Sequence, residues 1–222
     1  NWGNSQPVIK NCIFRNNRVV QEGGGIMNGP GSKANIISCR FLHNYAGEDG
    51  GGMYNNESYT MVTNCVFQNN SSGLTGGGMY NVNSSNTLIT NCTFFQNSAD
   101  VQGGALSNRE SNPKLVNCIL WNNNAPEYPE FFNQESTSKV TYSLVKGGYT
   151  GIGNIDSEPL FEDKWLKLSA TSPCIDAGNN QAVSKAVDHD MDANPRIRNG
   201  TVDMGAYEFL KNDIGNEKES NV

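Results

Sequence analysis

Apolar positions in this chain come in short bursts set between runs of Asn, Ser and Gly. Five segments share one layout. VIKNCIF, NIISCRF, MVTNCVF, LITNCTF and KLVNCIL each place an apolar residue three positions before a cysteine and another two positions after it. The first set is Ile9, Ile36, Val62, Ile89 and Leu115; the second is Phe14, Phe41, Phe67, Phe94 and Leu120. In an unbroken strand the residue three before the cysteine faces away from it, so both sets reach one core only if the chain bends at Asn11, Ser38, Asn64, Asn91 and Asn117. Asn suits such a bend because it accepts positive φ more readily than other residues that carry a Cβ. The pattern therefore predicts very short strands joined by sharp corners.

The cysteines stand at 12, 39, 65, 92 and 118, at intervals of 27, 26, 27 and 26. A second landmark follows each of them (GGGIMN, GGGMYN, GGGMYN, GGALSN and EFFN), and a sixth unit from Val140 carries Ser143 where cysteine stood. Self-similarity at this period has two main readings, a leucine-rich repeat or a β-solenoid. The leucine ladder and the short helix that the first requires are missing. Each unit is therefore read as one coil of an all-β, single-stranded parallel β-helix, stacked about 4.8 Å on the last so that like residues lie over like. Asn17, Asn44, Asn70, Asn97 and Asn123 then form one ladder, and Asn28, Asn55, Asn81, Asn108 and Asn133 another, with amides bonding along the axis. Glycines such as Gly51 and Gly77 fit a tight corner. Ile26, Met53, Met79, Leu106 and Phe131 should point inward, giving a filled column with no buried pocket.

Composition agrees with this reading. The 222 residues include 24 Gly and 33 Asn, and only 17% are charged, which disfavours helices and favours turns. A formal net charge of -6 without a basic stripe argues against a nucleic-acid partner. No window approaches the roughly 18 apolar residues of a membrane span, so no membrane insertion is expected.

The NCxFxxN and GGxxxN units resemble the polymorphic outer membrane protein type of β-helix repeat. Later segments, YSLVKGGYTGIGNIDSEPLFED, SPCIDAG and DMDANPRIRNGTVDMGAYEF, resemble the bacterial secreted β-helix proteins called choice-of-anchor Q domain proteins. The resemblance covers nearly all of residues 7–209. It implies a right-handed parallel β-helix of the pectate-lyase-like superfamily, secreted or held at the cell surface, and it brings no established reaction. Right-handedness also accords with the general hand of parallel crossovers. On this reading residues 1–150 are coils of about 26 residues, residues 151–209 leave the rhythm as an irregular C-terminal cap, and residues 210–222 are a polar tail.

Many β-helices act on polysaccharides, which needs paired carboxylates or a cation with a base. The columns expected to face outward, Lys10, Ile37, Thr63, Thr90, Val116 and Ile13, Arg40, Val66, Thr93, Ile119, offer almost none of that charge. No catalytic residue is assigned. Glu22 and Asp49, in turns of neighbouring coils, read either as a carboxylate pair or as a solvated acidic turn. Tyr54 and Tyr80, stacked outward, are the candidate glycan-binding platform, with a stabilising aromatic pair as the alternative. Asp188, Asp190 and Asp192 in VDHDMDANPR are the candidate ligands for Ca²⁺, although the glycine and distal glutamate of an EF-hand loop are missing. The alternative is a turn whose carboxylates accept backbone N–H bonds and pair with Arg196 or Arg198. His43 and His189 have no Ser or Cys partner at recognisable spacing. The cysteines are expected as free thiols, small buried residues whose side chains point the same way along the ladder. Apart from Ca²⁺ no cofactor is expected. The function expected is that of a non-catalytic extracellular or cell-surface structural or adhesive protein, meeting surface glycans or other copies of itself head to tail in a fibre. The alternatives are a polysaccharide lyase or hydrolase and a glycan-binding module.

Overall fold

The structure, a computed structural model, describes residues 1–210; the rest of the expected polar tail lies outside the described residues. One coil shows how the sequence folds. Met61–Thr63 and Val66–Gln68 are strands separated by a corner at Asn64, whose φ is 53°, and Ser71–Ser72 and Met79–Val82 complete the circuit. Equivalent strands stack in parallel into sheets of six, six, four and five strands. The register is the one the repeat predicts: Phe67 lies between Phe41 and Phe94, Met79 between Met53 and Leu106, and Ile89 between Val62 and Leu115.

All five bend residues are left-handed, with φ from 49° at Ser38 to 57° at Asn117. A second left-handed corner follows the second strand, at Asn16, His43, Asn69, Gln96 and Asn122, with φ between 54° and 60°. The corner before the fourth sheet admits no side chain: a Cβ on Gly51 would lie 2.3 Å from the Ser71 carbonyl oxygen and 2.5 Å from that of Gly77.

The core is a single column. Phe14, Phe41, Phe67 and Phe94 stack with ring centroids 4.9, 4.5 and 4.5 Å apart and planes within 8°, each pair adding about 0.5–1.5 kcal/mol beyond area burial. Both asparagine ladders form. The Asn70 Nδ2 donates to Asn97 Oδ1 at 2.9 Å and to the Phe41 carbonyl at 2.8 Å, while its Oδ1 accepts the backbone and side-chain N–H groups of Asn44. A fully buried amide thus has all its side-chain atoms satisfied. The other ladder runs from Asn28 to Asn133 through bonds of 2.8–3.0 Å. All six cysteines are free thiols. They do more than fill space, because the backbone N–H groups of Cys39 and Cys65 donate to the sulfur of the next coil at 3.4 and 3.3 Å. Cys118 donates likewise to Ser143 Oγ at 3.0 Å, so serine at the sixth position keeps the same acceptor.

The C-terminal region is only in part the cap that its broken rhythm predicts. Tyr149 closes the last coil, its ring 5.0 Å from that of Phe131, and Asn154 bonds the backbone of Val140 and Ser143. Beyond that the chain turns back and runs down the flank of the solenoid as a strap. Gly205 N–H reaches the Asn117 carbonyl, Ala206 N–H reaches Thr93 Oγ1, Asn64 donates to the His189 carbonyl, and Arg40 bonds the Tyr207 hydroxyl. The reason lies in a column that should have faced solvent. Val66 and Ile119 are only 2% and 1% exposed, because Leu166, Ala206 and Met204 of the strap pack over them. Such burial stabilises by roughly 1.5–3 kcal/mol per large aliphatic side chain. Among the described residues the only helix is a 3₁₀ turn, Asn180–Ala182, and no helix is long and apolar enough to cross a membrane.

Candidate functional site

The densest chemistry in the molecule sits inside the strap. Arg196, 1% exposed, pairs with Glu208 Oε1 at 3.0 Å and donates to the carbonyls of Asp203 and Gly205. Asp203 Oδ1 accepts the Asp176 N–H at 2.7 Å, and its Oδ2 accepts that of Phe209 at 2.6 Å. Burial pushes Glu208 up to about 8 and raises Asp203 as well. The guanidinium bonds the Glu208 carboxylate, its other bonds going to backbone carbonyls, and removing one partner of such a buried pair leaves the other uncompensated. This cluster ties together the loop that packs on Thr93 and Asn117.

The aspartates expected to gather calcium do not converge. Asp190 is buried, its Oδ1 accepting the N–H groups of Asp192 and Asn194 at 2.9 and 2.8 Å and its Oδ2 that of Glu208 at 2.9 Å. Asp188 turns to His189 Nδ1 at 2.7 Å, which holds its carboxyl below the usual range, and Asp192 pairs with Lys167 at 2.5 Å. Each carboxylate is committed to a different partner, and only Asp190 accepts backbone N–H groups as the turn alternative expected; the partner of Arg196 is Glu208 rather than an aspartate of the run. Among the described residues no group of three or more His, Cys, Asp or Glu side chains is placed to hold a metal.

Tyr54 and Tyr80 also differ from the exposed platform expected of them. Each is 8% exposed, packed with Val82 and Met27, their rings 5.6 Å apart and tilted by 37°. They form the stabilising pair between coils, and burial pushes Tyr54 up to about 12. Asp49 is a strut as well: its Oδ1 accepts the N–H and the hydroxyl of Thr75 on the next coil, both at 3.0 Å.

The residue that pattern reading missed is Glu130. Phe131 lies in register with Leu106, so Glu130 occupies the position of Ala105 and, one coil further back, Gly78. Its side chain takes the place of the next asparagine and closes the first ladder, Oε2 lying 2.6 Å from Asn123 Nδ2. The signal was an acid where four coils carry Gly, Gly, Gly and Ala.

Open grooves remain among the described residues. One, about 790 Å³, is lined by Glu162, Asp163, Lys167, Asp192 and Glu208 among others. Its raised acid, Glu208, has a side chain that is 1% exposed and bonded to Arg196, out of reach of a substrate. A second, about 370 Å³, lies between the strap and the first two coils beside Lys10, Arg40, Asp188 and His189. A third, about 550 Å³, opens on the turns after the fourth sheet. A family model described as "Right handed beta helix region" matches residues 2–161. No curated protein and no solved structure matches. The matched stretch takes in the coils and their closing loop, leaving the Arg196–Glu208 cluster outside it.

Proposed function

Because the chain belongs to the right-handed β-helix family, we propose that it is a non-catalytic extracellular or cell-surface scaffold, a rigid solenoid that adheres through its outer turns. One observation carries the reading. Four acids are raised by burial, and each is held by a structural partner: Glu130, at about 7, and Glu208, at about 8, are each 6% exposed and hold the ladder end and the strap, Asp203 is 2% exposed and binds backbone N–H groups, and the half-buried Asp49 is bonded to Thr75. Perturbed groups mark active sites only when a substrate can reach them. Resemblance of the coils to polymorphic outer membrane protein repeats, and of the later segments to choice-of-anchor Q domain proteins, supports a bacterial, exported setting. Head-to-tail contact between copies belongs to the same proposal, since coil edges pair through backbone groups. The test is a polysaccharide array scored for both binding and cleavage, with electron micrographs of the pure protein for filaments. Binding without cleavage is expected; turnover of any glycan would refute the scaffold.

A further inference from the structure

We propose that the alternation of long and short coils builds a groove for neutral hexose chains on the turns after the fourth sheet, with Tyr59 as its stacking platform. This names the ligand class of the adhesive reading and rests on it. The alternation is localised. From ladder asparagine to cysteine there are eleven steps in Asn28 to Cys39 and Asn81 to Cys92, but ten in Asn55 to Cys65 and Asn108 to Cys118. The third coil passes its turn through two left-handed residues, Asn83 at φ 52° and Ser84 at 64°, where the second uses Glu57 alone at 48°. A short turn is thereby set between two long ones, whose walls stand about 9.6 Å apart at two coil spacings.

The resulting groove, about 550 Å³, has Lys33 on one side, Asn83 and Ser84 on the other, Glu57 and Tyr59 between them and Glu110 beyond. Its volume is that of a small-molecule site. Tyr59 is 51% exposed, unlike the buried Tyr54 and Tyr80, and among the described residues no other ring stacks on it. An exposed ring takes the apolar face of a pyranose, and the surrounding amide, hydroxyl, ammonium and carboxylate meet its hydroxyls with both donors and acceptors. Among the described residues Lys33 and Glu57 have no side-chain partner, and the Asn83 amide donates to Asn56 Oδ1 at 2.9 Å, leaving its oxygen free. Charge selects the class. Arg109 lies 3.6 Å from Glu110, and Lys33 offsets Glu57, so the groove is close to neutral and has no cationic surplus to attract a uronate or a sulfated chain.

The test is calorimetric titration of the full chain with cellotetraose, N-acetylchitotetraose and trigalacturonate. One of the neutral chains should saturate, Tyr59→Ala should weaken it at least tenfold, and deletion of Ser84, which makes the third turn as short as the second, should weaken it as well. Tyr59→Ala should melt like the parent, because the ring is exposed. Absence of neutral binding, tighter binding of trigalacturonate, or parental affinity in Tyr59→Ala would each overturn the groove. Array adhesion that persists undiminished in Tyr59→Ala would remove the groove while leaving the scaffold reading standing, whereas cleavage would remove the scaffold reading itself.

Discussion

The first asparagine ladder is polarised, and Glu130 stands at its positive end. Each side-chain amide turns its oxygen toward the first coil and its N–H toward the last, so the small dipoles add along the axis as peptide dipoles add in a helix. Asn123 is the final donor, giving Nδ2–H to Glu130 Oε2 at 2.6 Å and its backbone N–H to Oε1 at 3.3 Å. Those donors favour the carboxylate, whereas burial disfavours it. Burial wins, and the group is raised from 4.5 to about 7. Between those values the folded chain binds the extra proton, so this group's contribution is greatest below about pH 4.5, falls as pH rises to about 7, and is level above. That rise corresponds to about 3 kcal/mol. Glu130→Gln keeps the shape and cannot ionise. It should therefore be more stable than the parent by about 2–3 kcal/mol at pH 8 and nearly equal to it at pH 4.5. Urea midpoints of both proteins across that interval, taken as a difference, remove the contribution of Glu208, which titrates in each. A flat difference, or a variant less stable at pH 8, would refute the argument.

Removing Arg196 should release the strap. Arg196→Met leaves Glu208 buried without its partner and should cost about 3–5 kcal/mol, seen as proteolysis within residues 162–200, while Glu208→Leu added to it should recover much of the loss. Phe67→Ala opens the middle of the ring stack and should cost about 3–5 kcal/mol in chemical denaturation. His43 is exposed and left-handed at φ 54°, so His43→Asn should gain about 0.5–1 kcal/mol in thermal unfolding, asparagine being better suited to that conformation. In thiol titration Cys12, the one exposed cysteine, should react at once and the five buried ones only on unfolding, since a thiol needs access and ionisation; burial pushes Cys65 and Cys118 well up.

Whatever repeats was legible. A one-residue error in register would have turned every inward side chain out, so the spacing of Ile36, Cys39 and Phe41 against Val62, Cys65 and Phe67 admits one stacking only. The left-handed corner at Asn11, Ser38 and Asn64 followed from the same count. The corner at His43 and Gln96 did not, because asparagine is replaced there in two coils, and at Gln96 by a residue with no preference for positive φ. The strap was illegible for a related reason. It occurs once, its partners Asn64, Thr93 and Asn117 are distant in sequence, and no period links Asp190 to Glu208. Its aspartates alternate like ligands, yet Asp190 satisfies backbone N–H groups while Asp188 turns to His189 and Asp192 to Lys167.

That division bears on where recognition resides. In a solenoid each coil contacts only its neighbours, so stability is close to a sum of like interfaces, and the inward positions are held to one solution by the Phe stack and the two ladders. The turns carry no such constraint: an extra residue at Ser84 leaves Asn81 bonded to Asn108 and Ile89 in register with Leu115. Length can therefore vary at a turn at little cost to the column, as loop insertions do generally. The intervals of 27, 26, 27 and 26 are then two signals superposed, a common 26 that specifies the fold and an added residue that shapes its edge.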